Sequence, residues 1–111
     1  MRISFAVRRL ARNFSSARDL DRAYGRDMAG KIQARMTVLD SAPSLAEVPA
    51  TKPDRCHQLE GDRRGQFAVD LVHPHRLVFE PDHNPVPQRP DGGIDLSAIT
   101  AIVIVEIVDY H

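Results

Sequence analysis

The sequence has few of the features that mark a secreted or membrane protein. Cys56 is the single cysteine among 111 residues, which excludes an internal disulfide and favours a reducing compartment. The opening residues, MRISFAVRRL, hold only a five-residue apolar patch before two arginines, too short for the core of a signal peptide. No stretch approaches the roughly 20 apolar residues of a membrane-spanning helix. We therefore expect a soluble, cytoplasmic protein that makes no contact with a membrane.

The chain also lacks net charge, but its charges are unevenly distributed. Residues 1–35 carry nine basic and three acidic residues, a net charge of +6, so the remainder carries −6. Thirteen of the 15 cations are arginine, whose planar fork suits phosphate and carboxylate groups. A basic N-terminal part is typical of a protein with a polyanionic or acidic partner. A solvated helix face would produce the same composition, so charge alone does not decide between the two.

The first third of the chain has helical periodicity. Residues 3–7 could form a short strand and residues 8–14 a brief helix, with Ser15 or Ser16 capping the next helix and Asp19 in its first turn. The apolar residues that follow are spaced by three and four, which predicts one buried helical stripe. Gly25 lies within it, so two helices could meet there. The stripe consists of Leu20, Tyr24, Met28, Ile32, Met36 and Leu39.

The second half has the alternating pattern of β-strands. Residues 66–71 and 76–80 alternate around His73-Pro74-His75, which predicts a hairpin, and residues 101–108 form a final apolar strand. Residues 42–53 are predicted to be a surface connection with one helical turn at 44–47, and residues 81–97 a proline-rich loop. Helices followed by strands indicate an α+β domain spanning residues 1–111, with N-terminal helices on one face of a small antiparallel sheet.

Three groups of residues could carry chemistry: the segment from Cys56 to Gly65, Arg76 on the strand after the hairpin turn, and the terminal Asp109-Tyr110-His111. Together they supply two imidazoles, a phenol and several cations. Such groups can take a proton from a ribose 2′-hydroxyl, protonate the leaving 5′-oxygen and stabilise the charge on phosphorus. Each also has a structural interpretation.

The structural interpretations are specific. His57 could be a hydrogen-bonded structural histidine, and Arg76 could be paired with Asp70 or Glu80. His73 and His75 offer two metal ligands without a third. Cys56 and His57 are neighbours on a predicted strand and would face opposite sides, which argues against an activated thiolate.

Three segments give the sequence a family resemblance. RCHQLEGDRRGQFAVDL at 55–71, HRLVFE at 75–80 and VEIVDYH at 105–111 resemble the HigB-type toxins of the RelE/ParE superfamily, also called plasmid maintenance killer proteins. The resemblance covers residues 57–80 and 106–111 in order. The helical half matches only as a pattern, and the loop at 81–97 has no counterpart.

The resemblance implies a fold, an activity and a partner. It implies a RelE/ParE-like α+β domain that cleaves mRNA, usually on the ribosome, without a metal or cofactor. It also implies an antitoxin with a helix-turn-helix domain, through which alone the toxin would reach operator DNA. Carried over residue by residue, the catalytic group is His57, Arg76, Asp109, Tyr110 and His111. Arg63 and Arg64 are expected to bind RNA.

Two acidic residues depart from the family pattern. Glu60 occupies a position where the family usually has lysine, and Asp70 one where it often has arginine. Each replacement turns local attraction for phosphate into repulsion. The sequence therefore predicts an endoribonuclease toxin, with a non-enzymatic alternative. In the alternative the protein acts by contact with a gyrase-type target or as a corepressor in an antitoxin–DNA complex.

Overall fold

Three short helices follow an opening strand. The computed structural model describes residues 1–109, and its helices are α1 (Arg8–Asn13), α2 (Ala17–Tyr24) and α3 (Arg26–Ser41). Ser16 caps α2, because its hydroxyl oxygen accepts a hydrogen bond of 3.0 Å from the Asp19 N–H. Gly25, with φ of +83°, separates α2 from α3. The predicted cap and the predicted junction of two helices are both confirmed. Within residues 1–109, no helix is both long and apolar enough to cross a membrane.

Five strands form one mixed sheet in the order β1-β5-β4-β3-β2. The strands are β1 (Arg2–Phe5), β2 (His57–Gln58), β3 (Phe67–Asp70), β4 (His75–Pro81) and β5 (Ala101–Asp109). The predicted hairpin is formed by β3 and β4. The sheet differs from the predicted antiparallel one at its edge, since β1 runs parallel to β5. Parallel neighbours need a long crossover, and the intervening chain, with all three helices, supplies it.

The helices pack on one face of this sheet. Ile32 and Leu39 of α3 belong to the same buried cluster as Leu77, Phe79 and Ile104 of the central strands. The opposite face has a separate, smaller apolar cluster made of Leu59, Ala68 and Val78, with Val105 and Val108 partly buried against it. We call this second side the open face. The α+β class and the one-sided placement of the helices are as predicted.

An irregularity in β5 decides which of its residues reach the open face. Phe79 pairs with Ile104, but the preceding residue Val78 pairs with Glu106, so Val105 is an extra residue. Paired residues share a face. Glu106 therefore lies on the open face with Val78, while Ile107 lies on the helix side with Leu77.

The two long connections follow the prediction only in part, because Ala42, Leu45 and Val48 are buried in the main core rather than on the surface, and Pro81 is the last residue of β4. Between α3 and β2, the chain makes one 3-10 helical turn at Leu45–Glu47, inside the predicted turn at 44–47. Between β4 and β5, the proline-rich segment contains the bridge between Gln88 and Ile94 and a 3-10 turn at Leu96–Ala98.

Candidate functional site on the open face

Strand pairing places two of the predicted catalytic residues on the open face. His57 pairs with Ala68, and Arg76 pairs with Asp70 on one side and Val108 on the other. Because Ala68 and Asp70 are two residues apart on β3, all of these side chains point to the same side of the sheet. The floor beneath them is the small apolar cluster of the open face.

Asp70 is at the centre of this group. Arg55 Nε and Nη2 donate to its two carboxylate oxygens at 2.8 and 2.9 Å, and Arg76 Nε lies 3.7 Å from Oδ1. Burial alone would raise the pKa of Asp70. The hydrogen bonds and charge of Arg55, with the charges of Arg76 and His57, outweigh burial and hold the pKa below its usual value. The carboxylate is thus bound by one arginine fork and faces a second cation.

The backbone holds Arg55 in place independently of its side chain. Arg55 has φ of +46°, a left-handed conformation that non-glycine residues rarely adopt. Its N–H donates to the Thr51 carbonyl at 2.8 Å, and the carbonyl of the preceding Asp54 accepts from the Asp70 N–H at 2.9 Å. These bonds attach the end of the connection to the end of β3.

Arg35 of α3 supports the same junction from the helix side. Its Nε donates to the Asp70 carbonyl at 2.6 Å, and its Nη1 lies 3.7 Å from the Asp54 carboxylate. Arg35 and Asp54 are each only 6% exposed. A buried charge needs a partner and hydrogen bonds, and each residue obtains these from the other or from the backbone. The helix layer therefore fixes the loop that presents Arg55.

His57 is oriented by the same loop. Its Nδ1 lies 2.8 Å from the Arg55 carbonyl oxygen. A carbonyl can only accept, so this bond requires the proton on Nδ1, which leaves Nε2 as the basic nitrogen of the neutral ring. This tautomer has the form that a general base needs.

Further along the face, Arg63 is engaged with carboxylate and amide groups. It pairs with Glu106, and its Nη1 donates to Gln66 Oε1 at 2.9 Å. Gln66 in turn donates to Glu80 at 3.3 Å. Arg64 is exposed and lines a shallow depression with Glu60. Carboxylates thus accompany the arginines across the open face, which does not present a purely cationic surface.

The end of β5 lies beside Arg76, but Asp109 is on the other side of the sheet. Val108 pairs with Arg76 and shares the open face, whereas Asp109 pairs with His75 and shares the side of Leu77. Asp109 is exposed. Tyr110 and His111, the other two predicted terminal residues, lie outside the described residues. The structure thus brings together His57 and Arg76, around Asp70, and not Asp109.

Cys56 is separated from this chemistry. It packs partly against the main core, while its neighbour His57 belongs to the open face. Burial, with a smaller contribution from the Asp54 charge, raises the pKa of the Cys56 thiol to about 12. The thiol is therefore protonated at neutral pH, in agreement with the predicted absence of an activated thiolate. Across residues 1–109, no three His, Cys, Asp or Glu side chains are grouped to hold a metal ion.

Several residues of this site were not identified from the sequence. Arg55 stands beside Cys56 and His57, yet nothing local reveals its left-handed backbone or its contact with Asp70. Arg35 belongs to the basic N-terminal part of the sequence, for which a solvated face is one interpretation, but it is buried. The sequence contains one signal for Arg55, because an acid at position 70, on the face of the predicted hairpin opposite the core, calls for a cation nearby.

Comparison with known proteins supports the fold and no more. No protein-family model and no curated protein sequence matches this chain. Among solved structures, it is similar to a YoeB/ParE toxin from Agrobacterium tumefaciens, with a TM-score of 0.58 and 12% identity over 100% of both chains. The chain shares the fold of that toxin.

A second solved structure agrees. A chain of the YoeB-YefM complex from Staphylococcus aureus superposes with a TM-score of 0.55 at 18% identity, over 100% of this chain and 97% of that one. Identities this low carry the architecture but not the activity. The chemistry of the site depends on its own residues.

Proposed function

We propose that this protein is the toxin of a type II toxin–antitoxin system and an endoribonuclease that cleaves mRNA. One observation carries the proposal: on a toxin-like fold, a histidine in base-competent form lies with two arginines on the sheet face that the helices leave uncovered. The face is open to a chain-like substrate rather than enclosed. In this proposal, residues 1–111 form one RelE/ParE-like domain, and the order of the sequence motifs favours the HigB type.

The chemistry is proton transfer around a phosphodiester, without a metal. A base removes the proton of the ribose 2′-hydroxyl, the oxygen attacks phosphorus, and an acid protonates the departing 5′-oxygen. His57 and His111 share these two roles, and Tyr110 assists or stacks on a base; Asp109, which lies on the helix side of the sheet, has no part in them. Arg76 stabilises the charge that develops on phosphorus, and Arg63 and Arg64 contact the RNA.

The proposed partners follow from the same assignment. The substrate is mRNA on the ribosome in the cytoplasm, and a helix-turn-helix antitoxin restrains the toxin and connects it to operator DNA. The similarity to a chain from a YoeB-YefM complex supports a protein partner.

Mapping mRNA ends after incubation with translating ribosomes tests the activity. The wild type is expected to create new ends, and His57→Ala is expected to reduce cleavage by about 10²- to 10⁴-fold. Gln58→Ala is the matched control, because Gln58 is the exposed neighbour of His57 on β2 and pairs with Phe67 on the other side of the sheet. Removal of Tyr110 and His111 should also abolish cleavage. Unchanged cleavage by that truncation would refute the terminal assignment.

A second candidate is a toxin or corepressor that acts by protein contact alone. The observation that favours it is the series of carboxylates on the open face, Asp70, Glu80 and Glu106, which offset the arginines there. If the wild type creates no new mRNA ends while it still binds its antitoxin, this candidate replaces the first.

A further inference from the structure

The arrangement around Asp70 has the form of an occupied anion site. Two oxygens of the carboxylate accept from the fork of Arg55, and Arg76 Nε approaches one of them to 3.7 Å. A guanidinium fork that binds a carboxylate with two parallel hydrogen bonds binds two phosphate oxygens in the same way. Asp70 therefore fills a position whose chemistry suits a phosphate group.

We infer that Arg55 and Arg76 form a phosphate-binding site and that Asp70 is its internal competitor, so that an RNA phosphodiester binds by displacing the Asp70 carboxylate. This inference rests on the proposed function for the identity of the ligand. It adds Arg55 as a substrate-binding residue and makes Asp70 the residue that limits affinity.

The ion pair is placed where displacement is feasible. The side chains of Arg55, Arg76 and Asp70 are 34%, 28% and 27% exposed, so solvent and a ligand both reach them. Solvent screens a partly exposed pair more than a buried one. A competing anion therefore has less pairing energy to overcome here than at the buried pair of Arg35 and Asp54.

The position of Arg55 does not depend on the carboxylate it binds. The Arg55 N–H donates to the Thr51 carbonyl, and the Arg55 carbonyl accepts from His57 Nδ1. Both hydrogen bonds are 2.8 Å long. When Asp70 loses its charge, these bonds still hold the Arg55 backbone at the edge of the site. His57 pairs with Ala68, which is two residues from Asp70 on the same face of β3, so a phosphate in place of the Asp70 carboxylate would lie near the proposed base.

The first experiment measures the affinity for RNA when the competitor is removed. A fluorescent single-stranded RNA of about 12 nucleotides, 2′-O-methylated throughout so that it cannot be cleaved, is titrated between about 50 and 200 mM salt. Asp70→Asn is expected to bind about five- to tenfold more tightly than the wild type at about 100 mM salt. The slope of log affinity against log salt should steepen by about 0.7 for each additional phosphate that the variant neutralises.

A double variant assigns the gain to Arg55. If Arg55 binds the phosphate, Asp70→Asn combined with Arg55→Gln should lose most of the added affinity. Asp91→Asn is the matched control, because Asp91 pairs with Arg89 at 3.3 Å in the loop after β4 and its loss changes net charge equally. Its affinity should change less than twofold. A gain that persists without Arg55, or that Asp91→Asn reproduces, would overturn the inference.

A direct readout covers the case in which Asp70→Asn folds poorly. In the full-length wild type, NMR signals of the Arg55 Nε–H are followed during titration with inorganic phosphate, and again in Asp70→Glu, which keeps the charge. Saturable shifts at Arg55, suppressed by Arg76→Gln, would support a two-arginine site. Arg55 signals that do not shift when phosphate is added would contradict a two-arginine site.

Failure of this inference and failure of the proposed function are separable. If neither the wild type nor Asp70→Asn cleaves mRNA but Asp70→Asn binds RNA more tightly, the anion site stands and the nuclease assignment falls. If the wild type cleaves mRNA and Asp70→Asn gains no affinity, Asp70 has a structural role only and the inference is wrong.

Discussion

At the scale of single residues, the ion pair of Asp54 with Arg35 and the ion pair of Asp70 with Arg55 differ in burial and therefore in role. Asp54 and its partner Arg35 are almost fully buried, while Asp70 and its arginines are partly exposed. A buried charge without its partner costs far more than an exposed one. We therefore assign the first pair to stability and the second to the function of the open face.

Replacing Arg35 should be strongly destabilising. Arg35→Met leaves the Asp54 carboxylate buried without its cation and removes the bond to the Asp70 carbonyl, so we expect a loss of about 3–5 kcal/mol in the free energy of unfolding. Urea denaturation followed by circular dichroism measures this. Lys31→Met, an exposed substitution on the same helix, should stay within about 0.5 kcal/mol of the wild type. Equal stabilities of the two variants would contradict the role of Arg35.

Asp70 should contribute to stability at neutral pH and not in strong acid. Its pKa in the folded protein lies below the value in the unfolded chain, about 3.9, so the contribution is complete above pH ~4 and is lost as the pH falls through the folded pKa. In Asp70→Asn, stability should decline less steeply between about pH 5 and pH 2.5. If the urea midpoints of the wild type and Asp70→Asn fall in parallel as the pH is lowered, the pKa of Asp70 is not lowered in the folded protein.

At the scale of elements, the break between α2 and α3 is set by one backbone conformation. Gly25 has φ of +83° and ψ of +160°, a region that is essentially restricted to glycine. Gly30 lies inside α3, with open space around the position of a Cβ. The two glycines are thus alike in the sequence but opposite in their structural demands.

Alanine at these two positions should have effects of opposite sign. Gly25→Ala forces a side chain into the glycine region and should cost about 1–3 kcal/mol. Gly30→Ala improves helix propensity and should add about 0.5–1 kcal/mol. Thermal unfolding of both variants gives the comparison. Stabilisation by Gly25→Ala would mean that α2 and α3 are not separated as described.

Local patterns explain which elements could be predicted from the sequence. The Ser16 cap, the helical stripe and the β3–β4 hairpin depend on residues close in the chain, so periodicity and turn chemistry reveal them. The pairing of β1 with β5 joins residues that are far apart in the chain, such as Arg2 and Ala101. The extra residue Val105 is hidden in a run of Ile and Val that fits either face. The left-handed Arg55 and the buried Arg35 depend on tertiary contacts, which no local pattern records.

At the scale of the whole molecule, one main core joins the two halves of the chain. Residues of α2, α3, β3, β4 and β5 share the same buried cluster. Within the described residues 1–109, neither the helices nor the helix side of the sheet has a separate core of its own. Loss of either layer would expose the apolar surface of the other.

The molecule is consequently expected to unfold in one cooperative step. Far-ultraviolet circular dichroism, which follows the helices, and amide NMR signals of Leu77 and Phe79, which lie in β4, should give coincident urea transitions. Two separated transitions would show that helices and sheet are independent units.

The extra residue Val105 divides β5 into two segments in which different alternate positions face the helices. Before it, even-numbered positions face the helices; after it, odd-numbered positions do. Strict alternation through position 105 would carry Glu106 inward and Ile107 outward, depriving Arg63 of its carboxylate and the interior of an aliphatic side chain. Removing Val105 would instead join Ile104 to Glu106 with each on its present face, whereas removing Val69 from β3, which pairs regularly with β4, would turn Asp70 away from the open face. The sheet can therefore absorb a one-residue deletion at the irregularity of β5 but not within the regular β3.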